Sequence, residues 1–160
     1  MSAIASFIKL PKTALDGLRD AAIPKKRLFG SPHDTYHDYL RQHGQEVADY
    51  KWSGYVLATL LVCLQEQHQI DLMHSEYDQL STFLTKSRGN THFIFTDSHK
   101  QAYLPKLDGG FSEQSLCDYY NKFNGSAETE AGKPMLDGVC AFRQSVSTLD
   151  EGSVVVFGIG

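Results

Sequence analysis

The 160-residue chain has only three cysteines, Cys63, Cys117 and Cys140, and no two of them form a CxxC pair. Neither a thioredoxin-type redox motif nor a Cys-rich zinc site is therefore supported, and a reducing, cytoplasmic setting fits best. All three lie among apolar or aromatic neighbours, where a reduced Cys behaves as a small hydrophobe. A long apolar run is also missing. The longest, Tyr55 to Leu64, falls well short of the roughly 20 residues that span a bilayer, so no membrane partner is expected. No basic start followed by an apolar core opens the chain, and no signal peptide is expected. Excess positive charge is lacking too: the net charge is −4, against the basic face that general nucleic-acid binding shows. No GxSxG frame exists for a nucleophile elbow. Gly109-Gly110 and Gly158-Ile159-Gly160 are too short for phosphate loops and do not lead into a helix as such loops must. Paired carboxylates such as Asp16/Asp20 or Glu128/Glu130 come with no cleft signal, so no acid–base pair, catalytic residue or cofactor is assigned. There is no internal repeat and no low-complexity segment.

What is present begins at the two ends. Ser2 to Leu10 and Ser153 to Ile159 are apolar, strand-like runs, and nearly everything between them reads as helix. Strands need partners for their backbone donors and acceptors. The two terminal runs are best satisfied in one sheet, with Thr91 to Thr96 as a third member. The expected fold is α+β: residues 1–160 form a single helix-rich globular domain around a small sheet that includes both terminal strands. Apolar spacing predicts helices over residues 14–22, from Ser31-Pro32 onward, over 52–67, from Ser75 to Arg88, from Ser112, and over 135–149. The helix over 52–67 is apolar nearly all round and is expected to lie buried. Residues 97–110, with Pro105 and Gly109-Gly110, read as a polar connection, and residues 125–133 as a mobile loop.

Charge is unevenly spread. Residues 108–160 carry three Lys and Arg against eight Asp and Glu, while residues 1–107 carry twelve against eleven. The acidic third holds Asp118-Tyr119-Tyr120 and, further on, Glu128 and Glu130. Acidic residues interleaved with aromatics suit a docking surface for a basic protein; the plainer alternative is a solvated acidic face. His33 and His37, four residues apart, could project from one helix face and hold a transition metal. The position after the first His is Asp34 rather than the Glu of a zincin motif, and the two also read as surface histidines.

Three stretches carry a family resemblance: Met1 to Leu10 followed by Leu15 and Leu18, Lys51-Trp52-Ser53-Gly54 leading into an apolar helix, and Phe142 to Ile159. In these the chain resembles the YfbM-like family of small bacterial proteins of unknown function. The resemblance implies a compact bacterial domain and no activity. Ser53 and Val56 stand where members of the family place histidines, so no role of those histidines carries over. With no catalytic motif and an acidic, Tyr-bearing third, the expected function is non-enzymatic protein binding. Its sharpest form is a bacterial immunity protein that neutralises a basic toxin domain through Asp118, Tyr119, Tyr120, Glu128 and Glu130. The alternatives are a small metal-dependent hydrolase using His33 and His37, or a homo-oligomeric structural domain; the oligomeric state is open.

Overall fold

Ala5–Pro11 (β1) and Ser153–Ile159 (β4) run antiparallel side by side, from Ala5 opposite Ile159 to Pro11 opposite Ser153. This is seen in a computed structural model of the chain, which describes residues 2–160; Met1, which opens the family-like run, lies outside them. Thr91–Phe95 (β3) pairs with the other edge of β4, and the two-residue Gln45–Glu46 (β2) pairs with the outer edge of β1. The sheet order is β2-β1-β4-β3, antiparallel throughout. The fold is α+β, with both terminal strands in the sheet. A fourth short strand joins the three that the sequence announces. Every residue of β4 is buried, which explains its unbroken apolar run: a central strand covered on both faces has no polar side.

Among the described residues seven α-helices flank the sheet: Leu15–Ala21 (α1), Tyr36–His43 (α2), Gly54–His68 (α3), Asp78–Arg88 (α4), Asp97–Leu107 (α5), Glu113–Asn124 (α6) and Gly132–Ser147 (α7). Alternation along the strands divides the core in two. One side gathers Phe7, Phe95, Phe157 and the α7 residue Phe142 with the leucines of α3. The Phe142 ring meets those of Phe7, Phe95 and Phe157 edge-on at 5.3–5.8 Å, a favoured aromatic geometry. The other side packs Leu10, Ile94, Val154 and Val156 against Leu15, Leu18, Leu40 and Leu84 of α1, α2 and α4. The helix α3 buries seven of its fifteen residues, while Tyr55 and Ala58 in its apolar stretch and Gln65, Glu66 and Gln67 in its last turns reach solvent. It crosses α7 closely because Gly138 has no side chain: a Cβ there would stand 2.6 Å from Leu57 Cδ2 and 2.7 Å from Leu60 Cδ2.

Several local expectations are corrected. The helix expected at Ser31-Pro32 begins at Tyr36. Backbone hydrogen bonds between Lys25 and His33 hold that stretch extended, and Asp34 Oδ1 accepts the Tyr36 N–H at 3.0 Å. Asp34 is itself gripped by Arg88, whose guanidinium holds the carboxyl below its usual range. The helix then stops at Gly44, and Val47 and Tyr50 lie beyond it in the irregular connection to α3. Residues 97–107 form α5 rather than a loop. Its first turn is held by the Thr96 N–H donating to His99 Nδ1 at 3.1 Å, and Pro105 falls in its last turn, where it removes one ladder N–H but leaves little helix beyond it to disrupt. Cys140, expected inward, is exposed, while Cys63 and Cys117 are buried; all three are free thiols. Burial pushes the Cys63 thiol up to about 11.

Candidate protein-binding groove

Between the start of α3, the helix α6 and the loop entering α7 lies a groove of about 580 Å³. Its floor is apolar and aromatic. Trp52, just ahead of the Ser53 cap of α3, and Val56, one turn further on, face Tyr120 and Cys117 of α6 across it. The indole is fixed in place: Trp52 Nε1 donates to Asp137 Oδ2 at 3.0 Å, and Lys133 Nζ donates to Asp137 Oδ1 at 2.6 Å. The Lys133 bond and then the Trp52 bond hold the Asp137 carboxyl below its usual range. Nearby, the Tyr50 hydroxyl donates to the Pro134 carbonyl at 2.9 Å, tying the first turn of α7 to the same segment.

The rim is acidic. Glu113 comes from the first turn of α6, and Glu128 and Glu130 come from the loop before α7. That loop is anchored chiefly by the Asn121 side chain. Its Oδ1 accepts from Glu128 N–H at 2.8 Å and from Ser126 Oγ at 2.9 Å, while its Nδ2 donates to the Glu128 carbonyl at 2.8 Å. The Cys117 thiol donates to the same carbonyl at 3.2 Å. The stretch expected to be mobile is thus pinned by its backbone, with the Glu128 and Glu130 side chains left exposed. Among the described residues Lys133 is the one cation lining the groove, and it is ion-paired with Asp137.

Three of the five residues assigned to a docking surface share this groove. Tyr120, Glu128 and Glu130 converge on the groove. Asp118 and Tyr119 do not. Asp118 is exposed and outside the lining, although it accepts at 2.8 Å from Nε2 of Gln114, which lines the groove. Tyr119 turns toward α3, where its hydroxyl donates to Glu66 Oε2 at 2.7 Å and its ring stacks on the exposed Phe123. Burial and that carboxylate both push the Tyr119 hydroxyl pKa up. Sequence reasoning missed Trp52, Val56 and Glu113. The available signal was Trp52 itself, a large aromatic residue just outside a helix cap, where the helix cannot cover it.

Comparison of the chain with protein-family models, curated proteins and solved structures finds no match.

His33 and His37 do not share a helix face. His33 precedes α2 in the extended pair with Lys25, and only His37 is helical. The geometric premise for a metal pair therefore fails. Among the described residues no group of three or more His, Cys, Asp or Glu is placed to hold a metal ion, and no helix is long and apolar enough to cross a membrane.

Proposed function

We propose that the chain is a non-enzymatic protein-binding domain whose groove receives a basic, partly apolar segment of a partner. In its most specific form it is a cytoplasmic bacterial immunity protein acting on a basic toxin domain, a reading with which the YfbM-like resemblance is consistent. The observation that carries the proposal is the pairing of an acidic rim, Glu113, Glu128 and Glu130, with a floor of Trp52, Val56 and Tyr120. The carboxylates steer a cationic partner and set its register, while aromatic residues in a partly desolvated pocket supply the anchoring energy typical of interface centres.

Trp52 is the only tryptophan in the chain and is 46% exposed, so its emission reports directly on the groove. A synthetic peptide alternating Lys with Leu and Phe should shift that emission saturably at low salt. The shift should weaken as salt screens the rim. The double variant Glu128→Lys/Glu130→Lys should bind at least tenfold more weakly at an unchanged melting midpoint. Co-expression with a toxin gene lying beside its own should restore growth, and the double variant should not. Equal binding by the double variant, or no response from Trp52, would remove the groove from the proposal.

A further inference from the structure

One stretch of the surface matches the groove in both charge and apolar character, and it belongs to the chain itself. Between α1 and α2 the chain runs Pro24-Lys25-Lys26-Arg27-Leu28-Phe29-Gly30, and every residue from 23 to 34 is exposed. Two backbone hydrogen bonds, each of 3.0 Å, join Lys25 and His33 and close residues 26–32 into a loop. Gly30 turns the chain back with a left-handed φ of 92° that glycine adopts without strain. Leu28 and Phe29 lie almost wholly in solvent, and adjacent large apolar side chains left bare in this way mark an interaction site. Beside them Lys25, Lys26 and Arg27 take part in no ion pair among the described residues. The loop is thus a basic collar with an apolar tip, and its closed base reduces what must be ordered on binding.

The groove beside α6 is its counterpart. Glu113, Glu128 and Glu130 on the rim are exposed and in no ion pair among the described residues, one carboxylate for each cation of the loop. Lys133 offers them little opposition, because Asp137 already pairs with it. The floor of Trp52, Val56 and Tyr120 is a bed for Leu28 and Phe29, and about 580 Å³ leaves room for both side chains. The loop cannot fill the groove of its own molecule. Ala22 and Tyr36, which bracket it, are buried on the face of the sheet that carries α1, α2 and α4. Tyr50, Val56 and Tyr120 belong to the opposite face, and the sheet lies between.

We propose that the loop of one copy docks in the groove of a second copy of this chain. Leu28 and Phe29 lie on the Trp52–Tyr120 floor, and Lys25, Lys26 and Arg27 meet the glutamate rim. The inference rests on the groove being a seat for a basic, partly apolar segment, and it names that segment. One loop in one groove is a small interface of the weak, transient class, which a tighter basic partner displaces. Each contact joins two different patches, so a copy without the loop and a copy without the groove still complement each other.

The test is analytical sedimentation of the full chain at low salt, with Trp52 emission recorded over the same concentrations. Association with a Kd on the order of 0.1 mM is expected, accompanied by a blue shift of Trp52 and weakened by salt, which screens exposed charges. Leu28→Ser/Phe29→Ser and Glu128→Lys/Glu130→Lys should each weaken association by about tenfold or more. Both should keep the parent melting midpoint, because all four side chains are exposed. Mixed together, the two variants should form a complex with one copy of each. A parent chain that stays monomeric to about 1 mM, a groove variant that associates as well as the parent, or a mixture without a complex would each overturn the proposal. A free peptide of residues 24–32 separates this failure from that of the groove. If the peptide shifts Trp52 emission saturably while the chain stays monomeric, self-docking falls and the groove stands. If neither it nor the Lys, Leu and Phe peptide shifts the emission, both fall. A monomeric chain that sediments with phosphatidylserine vesicles through Leu28 and Phe29 would overturn the self-contact in favour of a lipid surface.

Discussion

His99 illustrates how much one side chain can carry. Its Nδ1 accepts the Thr96 N–H, so its ring proton sits on Nε2, which donates to the His74 carbonyl at 2.7 Å. Protonating Nδ1 would set one N–H against another. Burial, the largest influence, holds the His99 pKa below the ordinary value, and burial does the same for His92. Both groups then bind protons more readily in the unfolded chain, whose histidines titrate near pH 6.5. Their contribution to stability is complete above that pH and is lost as pH falls through the lower folded values. His74 runs the other way: its bond to Asp71 raises its pKa, so its contribution is complete below pH 6.5 and is lost as pH rises. That pair is exposed and its effect small. Urea denaturation should therefore show stability falling from pH 7 to pH 5, by up to about 1.4 kcal/mol per pH unit for each proton taken up. His99→Gln supplies an uncharged acceptor at the third helical position, as in a capping box, and should flatten that slope. An identical slope in the variant would mean that His99 does not titrate on unfolding.

Among the elements, α7 and α3 show why a helix can be legible while its packing is not. The apolar spacing of Leu136, Val139, Phe142 and Val146 announces α7, but Gly138 reads in sequence only as a weak helix former. In the fold it is the point where two helices touch. Gly138→Ala would improve helix propensity, yet it drives a methyl group into Leu57 and Leu60, both fully buried. A net loss of about 1–3 kcal/mol is expected from overpacking, read as a lower urea midpoint; a more stable variant would show that the two helices can separate at no cost. The helix α5 is the opposite case. It buries only His99 and Leu107, so it has no apolar stripe to announce it. It is held instead by bonds visible only in three dimensions, among them Lys100 Nζ to the Leu149 carbonyl at 2.8 Å. Apolar identity misleads as well in the loop closed by Lys25 and His33, where Leu28 and Phe29 are 97% and 91% exposed.

At the scale of the whole molecule, β4 joins what would otherwise be separate pieces. It lies between β1 and β3 and touches both halves of the core. Deleting residues 153–160 would remove Val154, Val155, Val156 and Phe157, each at most 2% exposed, and leave both neighbouring strands without their ladder. Burying each such side chain is worth about 1.5–3 kcal/mol, so the loss rivals the ~5–15 kcal/mol stability of a typical domain. The shortened chain should show no cooperative melt by circular dichroism. A melt near the parent midpoint would make β4 peripheral to stability.

The sequence by itself determined the α+β class, the pairing of both terminal strands in one sheet and the acidic bias of the final third. Each follows from local pattern: strands must find partners, apolar period sets the element type, and charges are counted directly. The tertiary structure alone decided where those features meet. Consecutive residues on a helix point about 100° apart, so Asp118, Tyr119 and Tyr120 necessarily diverge. Only the placement of α3 and α7 beside α6 shows that Tyr120, and not its neighbours, shares a groove with Trp52, Glu113, Glu128 and Glu130. The four-residue spacing of His33 and His37 lost its meaning once Asp34 and the Lys25–His33 pair moved the helix start to Tyr36. Likewise Ser6, His92 and Gly158, separated by most of the chain, became neighbours through strand register, a long-range pairing that no local periodicity encodes.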